Sequence, residues 1–245
     1  SHGITVLISQ EPRGHLIAEH AISLALSCIR RLPQADNAVR NWKTNDDFPP
    51  VKASETQGYD NWPRIKPQSL FGSNVGILGA GTISLEIIKR LQSFGCKINY
   101  HKRTAFSDNV EQRLGITYLT LEQILKSSDV LFVQLPLTDS TRALINSENI
   151  HLLKHGCIII NCGRAAVINE KTFIQAIESN QIGYAGLDVF WQEPMPADHV
   201  LANKNNLILT PHMAEIGGRD VSLLRKETLE QLISFLTKLK TRLNT

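Results

Sequence analysis

The chain has 245 residues, 42% of them hydrophobic and 20% charged, the balance of a soluble globular protein long enough to bury a full core. Its formal net charge of +3 is small for this length and no basic run is interleaved with aromatics, which argues against nucleic acid or an anionic membrane surface as a partner. No stretch reaches the ~18 apolar residues of a membrane span, and no basic-then-apolar leader is expected. The four cysteines, Cys28, Cys96, Cys157 and Cys162, lack CxxC spacing and sit mostly in apolar segments, as reduced buried thiols do, so a cytoplasmic address is expected.

In chain order, the first element is a helix over Leu16–Arg31. Leu16, Ile17, Ala21, Leu24, Ala25, Cys28 and Ile29 give it one wide apolar face, which serves either the core or a subunit interface. The stretch from Trp42 to Ser69 is rich in Pro, Asp, Asn and Lys and has no sustained periodicity, so it reads as a connector or surface arm. Its Trp42, Phe48, Tyr59 and Trp62 would anchor it on a partner subunit.

From Asn74 strands and helices alternate. Strands are expected over Val75–Leu78, Lys97–Tyr100, Ile116–Tyr118, Val130–Leu135, Cys157–Asn161, Tyr184–Val189 and Leu207–Leu209. Helices are expected over Thr82–Phe94, near Asn109–Arg113, and over Leu121–Lys126, Ser147–Leu153 and Glu170–Ser179. Strands separated by helices demand right-handed crossovers, and therefore a doubly wound, parallel α/β sheet of the Rossmann type. A long amphipathic helix over Arg219–Leu243, with Leu223, Leu232, Leu236, Leu239 and Leu243 among charges, closes the sequence. The expected division is an N-terminal helix and arm over 1–73, a dinucleotide domain over 74–218 and the C-terminal helix over 219–245.

Gly79-Ala80-Gly81-Thr82-Ile83-Ser84 follows the first strand and opens a helix. Its first two glycines permit a tight turn and a close approach to a pyrophosphate, while the helix start aims N–H groups at it. The third position, usually glycine for close helix–strand packing, is Ser84, which would push the helix slightly outward. An enzyme using NAD normally ends its second strand on an aspartate that accepts from the ribose hydroxyls. Tyr100-His101-Lys102-Arg103-Thr104 stands there instead, so Lys102, Arg103 and Thr104 suit a 2′-phosphate and NADP is the preferred cofactor over NAD. Solvated turn residues on a site that still takes NAD are the alternative.

Three further segments share one design: Ile160-Asn161-Cys162-Gly163-Arg164, Gly186 through Pro194, and Thr210-Pro211-His212. Each offers a chemical group just past an apolar strand, where α/β sheets carry their active sites. Arg164 can fork its guanidinium onto a carboxylate and carbonyl. His212 can give and take a proton near neutrality, and Glu193 can orient it and favour its protonated form. With a nicotinamide alongside, hydride transfer is the expected chemistry.

On these residues, together with Ala18-Glu19-His20-Ala21, the Gly79 turn and Leu135-Pro136-Leu137-Thr138, the sequence resembles the D-isomer-specific 2-hydroxyacid dehydrogenases, in the manner of glyoxylate and hydroxypyruvate reductases, from about Gly3 to about Arg225. The resemblance implies that Arg164 binds substrate, His212 is the acid/base, Glu193 is its partner and Asp188 faces the nicotinamide carboxamide. It implies that Pro136 passes under the cofactor and that Thr141 touches it. Cys162-Gly163 and Ala165-Ala166 replace the family's usual Thr-Ala and Gly-Gly on either side of Arg164. The resemblance begins partway into the family's usual chain, so most of the substrate domain is expected to be missing, whether by truncation, natural loss or division between two chains. Relatives that oxidise formate carry glutamine in place of Glu193, so glutamate favours an alcohol/carbonyl couple. A small 2-keto or 2-hydroxy acid is the implied substrate and a homodimer the implied assembly. Phosphite oxidation, a cofactor-sensing corepressor-like module and a scaffold without turnover are the competing readings.

Overall fold

The computed structural model describes residues 14–43, 52, 65–217, 226 and 228–237. Seven strands form its centre: β1 (Asn74–Leu78), β2 (Lys97–His101), β3 (Ile116–Tyr118), β4 (Val130–Val133), β5 (Cys157–Asn161), β6 (Ile182–Leu187) and β7 (Leu207–Leu209). They lie in the order β3-β2-β1-β4-β5-β6-β7 with every pairing parallel. Val75 stands opposite both Ile98 and Val130, so β1 is an interior strand. The chain runs outward from β1 to β3 and then returns to β4 on the other side of β1, and such a reversal opens a ligand crevice at the carboxyl ends of the strands.

Helices α1 (Gly14–Arg30), α2 (Leu32–Arg40), α3 (Thr82–Leu91), α4 (Asp108–Leu114), α5 (Leu121–Ser127) and α6 (Glu170–Glu178) complete the frame. Strands buried on both faces are mostly apolar, as β5 illustrates with its three consecutive isoleucines, Ile158, Ile159 and Ile160. One face packs Ile77, Phe132 and Ile160 against α1 and α3; the other packs Leu131, Val133 and Ile159 against α5 and α6. The apolar face of α1, with Ala18, Ala21, Leu24, Ala25 and Cys28 buried, lies on α3, β5 and β6, so it belongs to the core.

Several boundaries differ from expectation. Arg31 takes a left-handed backbone (φ 56°) that ends α1, its guanidinium lies 3.1 Å over the Tyr184 ring, and α2 starts immediately with Pro33 in its first turn. β4 stops at Val133 because the chain turns off toward Pro136, which has no N–H for a ladder. β6 begins at Ile182, paired with Cys157, and ends at Leu187, two residues earlier than expected at each end. Only a 3₁₀ turn at Ile150–Leu152 forms where a helix was expected over Ser147–Leu153. There Asn149 accepts from the Asn146 N–H and Asn146 from the Glu148 N–H, local bonds that compete with helical ones.

Phe48, Tyr59 and Trp62 of the expected arm lie outside the described residues, as do Leu223, Leu239 and Leu243 of the expected C-terminal helix; residues 228–237 are helical, with Leu232 and Leu236 exposed. Among the described residues no helix is long and apolar enough to cross a membrane.

Candidate active site

The site is assembled at the carboxyl ends of β1, β4, β5, β6 and β7. After β1, Gly79 has a φ of 92°, and a Cβ there would sit 2.6 Å from the Gln134 carbonyl oxygen, so only glycine fits. Its N–H donates to the His101 carbonyl, tying the turn to β2. At Gly81 nothing lies within 4 Å of where a Cβ would project, and no side chain caps the start of α3 at Thr82. An open, uncapped N-terminus of a ten-residue helix leaves its first-turn N–H groups free for an anionic group.

After β5, Asn161 shapes the turn that carries Arg164: its Oδ1 accepts from the Gly163 N–H (3.0 Å) and its Nδ2 donates to the Arg164 carbonyl (3.2 Å). The Arg164 guanidinium is exposed and donates to the Gly163 carbonyl at 2.7 Å. Cys162 beside it is buried, and that burial, with the Asp188 charge adding to it, pushes its thiol far up from the ordinary value.

After β6, Asp188 is 1% exposed, and its oxygens are already engaged. Oδ1 accepts from the Thr210 hydroxyl (2.6 Å) and the Met213 N–H (2.9 Å), and Oδ2 from the Ala214 N–H (2.9 Å). After β7, His212 has a φ of 50°. Its Nδ1 lies 2.6 Å from Glu193 Oε2, and Glu193 Oε1 accepts from the Phe190 N–H at 3.0 Å. Burial raises the Glu193 carboxyl, but the His212 bond, the Phe190 amide and the charges of His212 and Arg164 outweigh it and hold the group below its usual value.

Arg164, Asp188 and His212 line one cleft of about 360 Å³ together with Ile83, Pro136, Cys162 and Gly163. Glu193 faces a neighbouring cavity of about 610 Å³ with Phe190, Met195 and Leu209, and His212 lines both. Lys102, Arg103 and Thr104 stand apart from this cleft, beyond the end of β2; the Lys102 ammonium lies 3.9 Å over the Phe106 ring, while Arg103 and Thr104 are exposed. The Tyr100 hydroxyl braces that loop, accepting from the Phe106 N–H and donating to Glu111. Thr141 uses its hydroxyl within its own loop, donating to the Pro136 carbonyl at 2.6 Å.

Two contributors had no signal in the sequence reading. Gln134 lines the cleft with neither amide atom hydrogen-bonded although both are buried, an orphaned pair suited to an incoming carboxamide or ribose. Asn161 sits unremarkably at the end of an apolar run. Together, the glycine turn, the uncapped helix and the orphaned Gln134 fit a nicotinamide dinucleotide lying across the β1/β4 crevice.

A family model described as D-isomer specific 2-hydroxyacid dehydrogenase, NAD binding domain, matches residues 22–214. The chain is 33% identical over 218 residues to a glyoxylate reductase of Korarchaeum cryptofilum, which covers 89% of this chain and 62% of that protein. It is 32% identical over 233 residues to a hydroxypyruvate reductase of Thermotoga maritima, covering 93% and 68% of the two. The crystal structure of a glyoxylate reductase from Paecilomyes thermophila matches with a TM-score of 0.73 and 29% identity, over 92% of this chain and 62% of that one. The chain thus spans 62% of the length of both glyoxylate reductases.

Proposed function

From the premise that this chain belongs to the D-isomer-specific 2-hydroxyacid dehydrogenase family, through its NAD-binding domain, we propose that its cleft carries out reversible hydride transfer between a nicotinamide cofactor and a small 2-keto or 2-hydroxy acid. The observation that carries the reading is the 2.6 Å His212–Glu193 pair on the wall of the cleft that also holds Arg164. When bound, the reduced nicotinamide supplies hydride to the carbonyl carbon. Arg164 holds the substrate carboxylate and polarises the carbonyl, since its fork can engage two oxygens at once. His212 gives a proton to the carbonyl oxygen in reduction and takes it back in oxidation, and Glu193 fixes its ring orientation. Asp188 and Gln134 border the carboxamide, Gly79, Gly81, Thr82 and Ile83 cradle the pyrophosphate, and Pro136, Cys162 and Gly163 form the floor.

Lys102, Arg103 and Thr104, with no carboxylate at the end of β2, favour NADP over NAD. The protein works as a homodimer, for which exposed Leu32 and Val39 on α2 offer apolar surface. Its four free cysteines suit a reducing compartment such as the cytoplasm. Calorimetric titration with NADPH and NADH, followed by addition of glyoxylate, hydroxypyruvate or pyruvate while reduced-nicotinamide absorbance is followed, tests the reading. Tighter NADPH binding with turnover of one of these acids is expected; binding of neither cofactor would overturn it.

A further inference from the structure

The motif Ala18-Glu19-His20-Ala21 has no task in the hydride transfer, yet its histidine reaches the site from outside the sheet. His20 lies on α1 with its side chain 18% exposed, Nε2 2.9 Å from Thr210 Oγ1 and 3.4 Å from Asp188 Oδ1. The direction of the bonds follows from what each group can do. An ionised carboxylate only accepts, so the Thr210 proton points to Asp188 across 2.6 Å rather than to the Leu187 carbonyl at 3.4 Å. The Thr210 oxygen is then an acceptor, and His20 donates to it through an Nε2–H.

Asp188 in turn accepts from the N–H groups of Met213 and Ala214, the two residues after His212. His212 itself occupies the left-handed region, where a histidine stays only when its surroundings hold it. We propose that His20 is a positioning residue: through Thr210 it aims the Asp188 carboxylate, and that carboxylate holds the left-handed turn that presents His212 to the cleft. The inference rests on the assignment of His212 as the acid/base. It makes α1 a part of the active site's frame, joined to the α3 side by the Arg90–Glu19 ion pair at 3.2 Å.

The test compares His20→Leu, His20→Gln and Thr210→Val in the full chain. His20→Leu removes the donor, His20→Gln keeps one near the Nε2 position, and Thr210→Val breaks the same relay at its next member. His20→Leu and Thr210→Val are expected to lower kcat about tenfold or more, leave KM for the keto acid and Kd for NADPH within about twofold, and speed amide hydrogen exchange at Met213 and Ala214. His20→Gln is expected to restore most of kcat and the slow exchange. Unchanged kcat and exchange in His20→Leu, or equal losses in His20→Leu and His20→Gln, would overturn the relay in favour of packing alone. Should His20→Leu fail to fold, Thr210→Val against His20→Gln decides the same question. If the unaltered protein shows no turnover, the proposed reaction fails, while exchange at Met213 and Ala214 still reads the relay.

Discussion

His212 is gripped by two carboxylates, Glu193 on its ring and Asp188 on the backbone that follows it. Removing the ring in His212→Ala is expected to cost kcat about 10²–10⁴-fold with cofactor affinity nearly intact, read by single-turnover absorbance and calorimetry; equal losses in both would make the residue structural. Glu193 has a depressed pKa, so it stays charged, and its grip on His212 stays whole, through the ordinary carboxylate range; the grip is lost only as pH falls through the depressed value. Glu193→Gln should therefore be slow at every pH, and a wild-type kcat/KM profile in that variant would remove Glu193 from the reaction. Arg103→Ala is expected to weaken NADPH more than NADH by about 1–3 kcal/mol, measured calorimetrically, and an equal effect on both would sink the 2′-phosphate site. The juxtaposition of Arg164, Glu193 and His212 was legible because each follows an apolar run, and the sheet brings the ends of those runs to one edge. Gln134 and Asn161 were not, since a lone amide beside a strand has no spacing to betray it, and the partner of His20 lies 190 residues away.

Among the elements, β1 and α3 read clearly because an apolar run, a glycine turn and an amphipathic helix follow one another, and α5 begins with a capping box between Thr120 and Gln123. The failures have a common cause: the side chains of Asn146 and Asn149, and the left-handed Arg31, redirect the backbone by local bonds that hydrophobic periodicity does not register. Ser84 shows a different kind of conflict. Its hydroxyl is buried beneath α3 without a hydrogen-bond partner, and an unpaired buried polar group destabilises. Ser84→Ala is expected to stabilise the fold by roughly 1 kcal/mol, seen as a raised urea midpoint with an unchanged slope; a lowered midpoint would mean that the hydroxyl is hydrogen-bonded after all.

At the scale of the molecule, the alternation of strands and helices was enough to fix a parallel sheet, and the right-handed crossover rule does the rest. What it could not supply was the seat of α1. That helix carries the same apolar spacing whether it packs on a second subunit or on its own sheet, and only the fold shows it lying across α3, β5, β6 and β7. The seat has a consequence during synthesis. The His20–Thr210 bond closes a loop of 190 residues, which a ribosome working at roughly 5–20 residues per second takes tens of seconds to complete. Until β5, β6 and β7 have emerged, only α3 is available to cover the face bearing Ala18, Ala21, Leu24 and Ala25. Helix α1 is thus made before its seat is complete, and pulse-labelled hydrogen exchange during refolding is expected to protect the amides of α1 after those of β1 and β4; simultaneous protection would show that α1 finds its place before the sheet is finished.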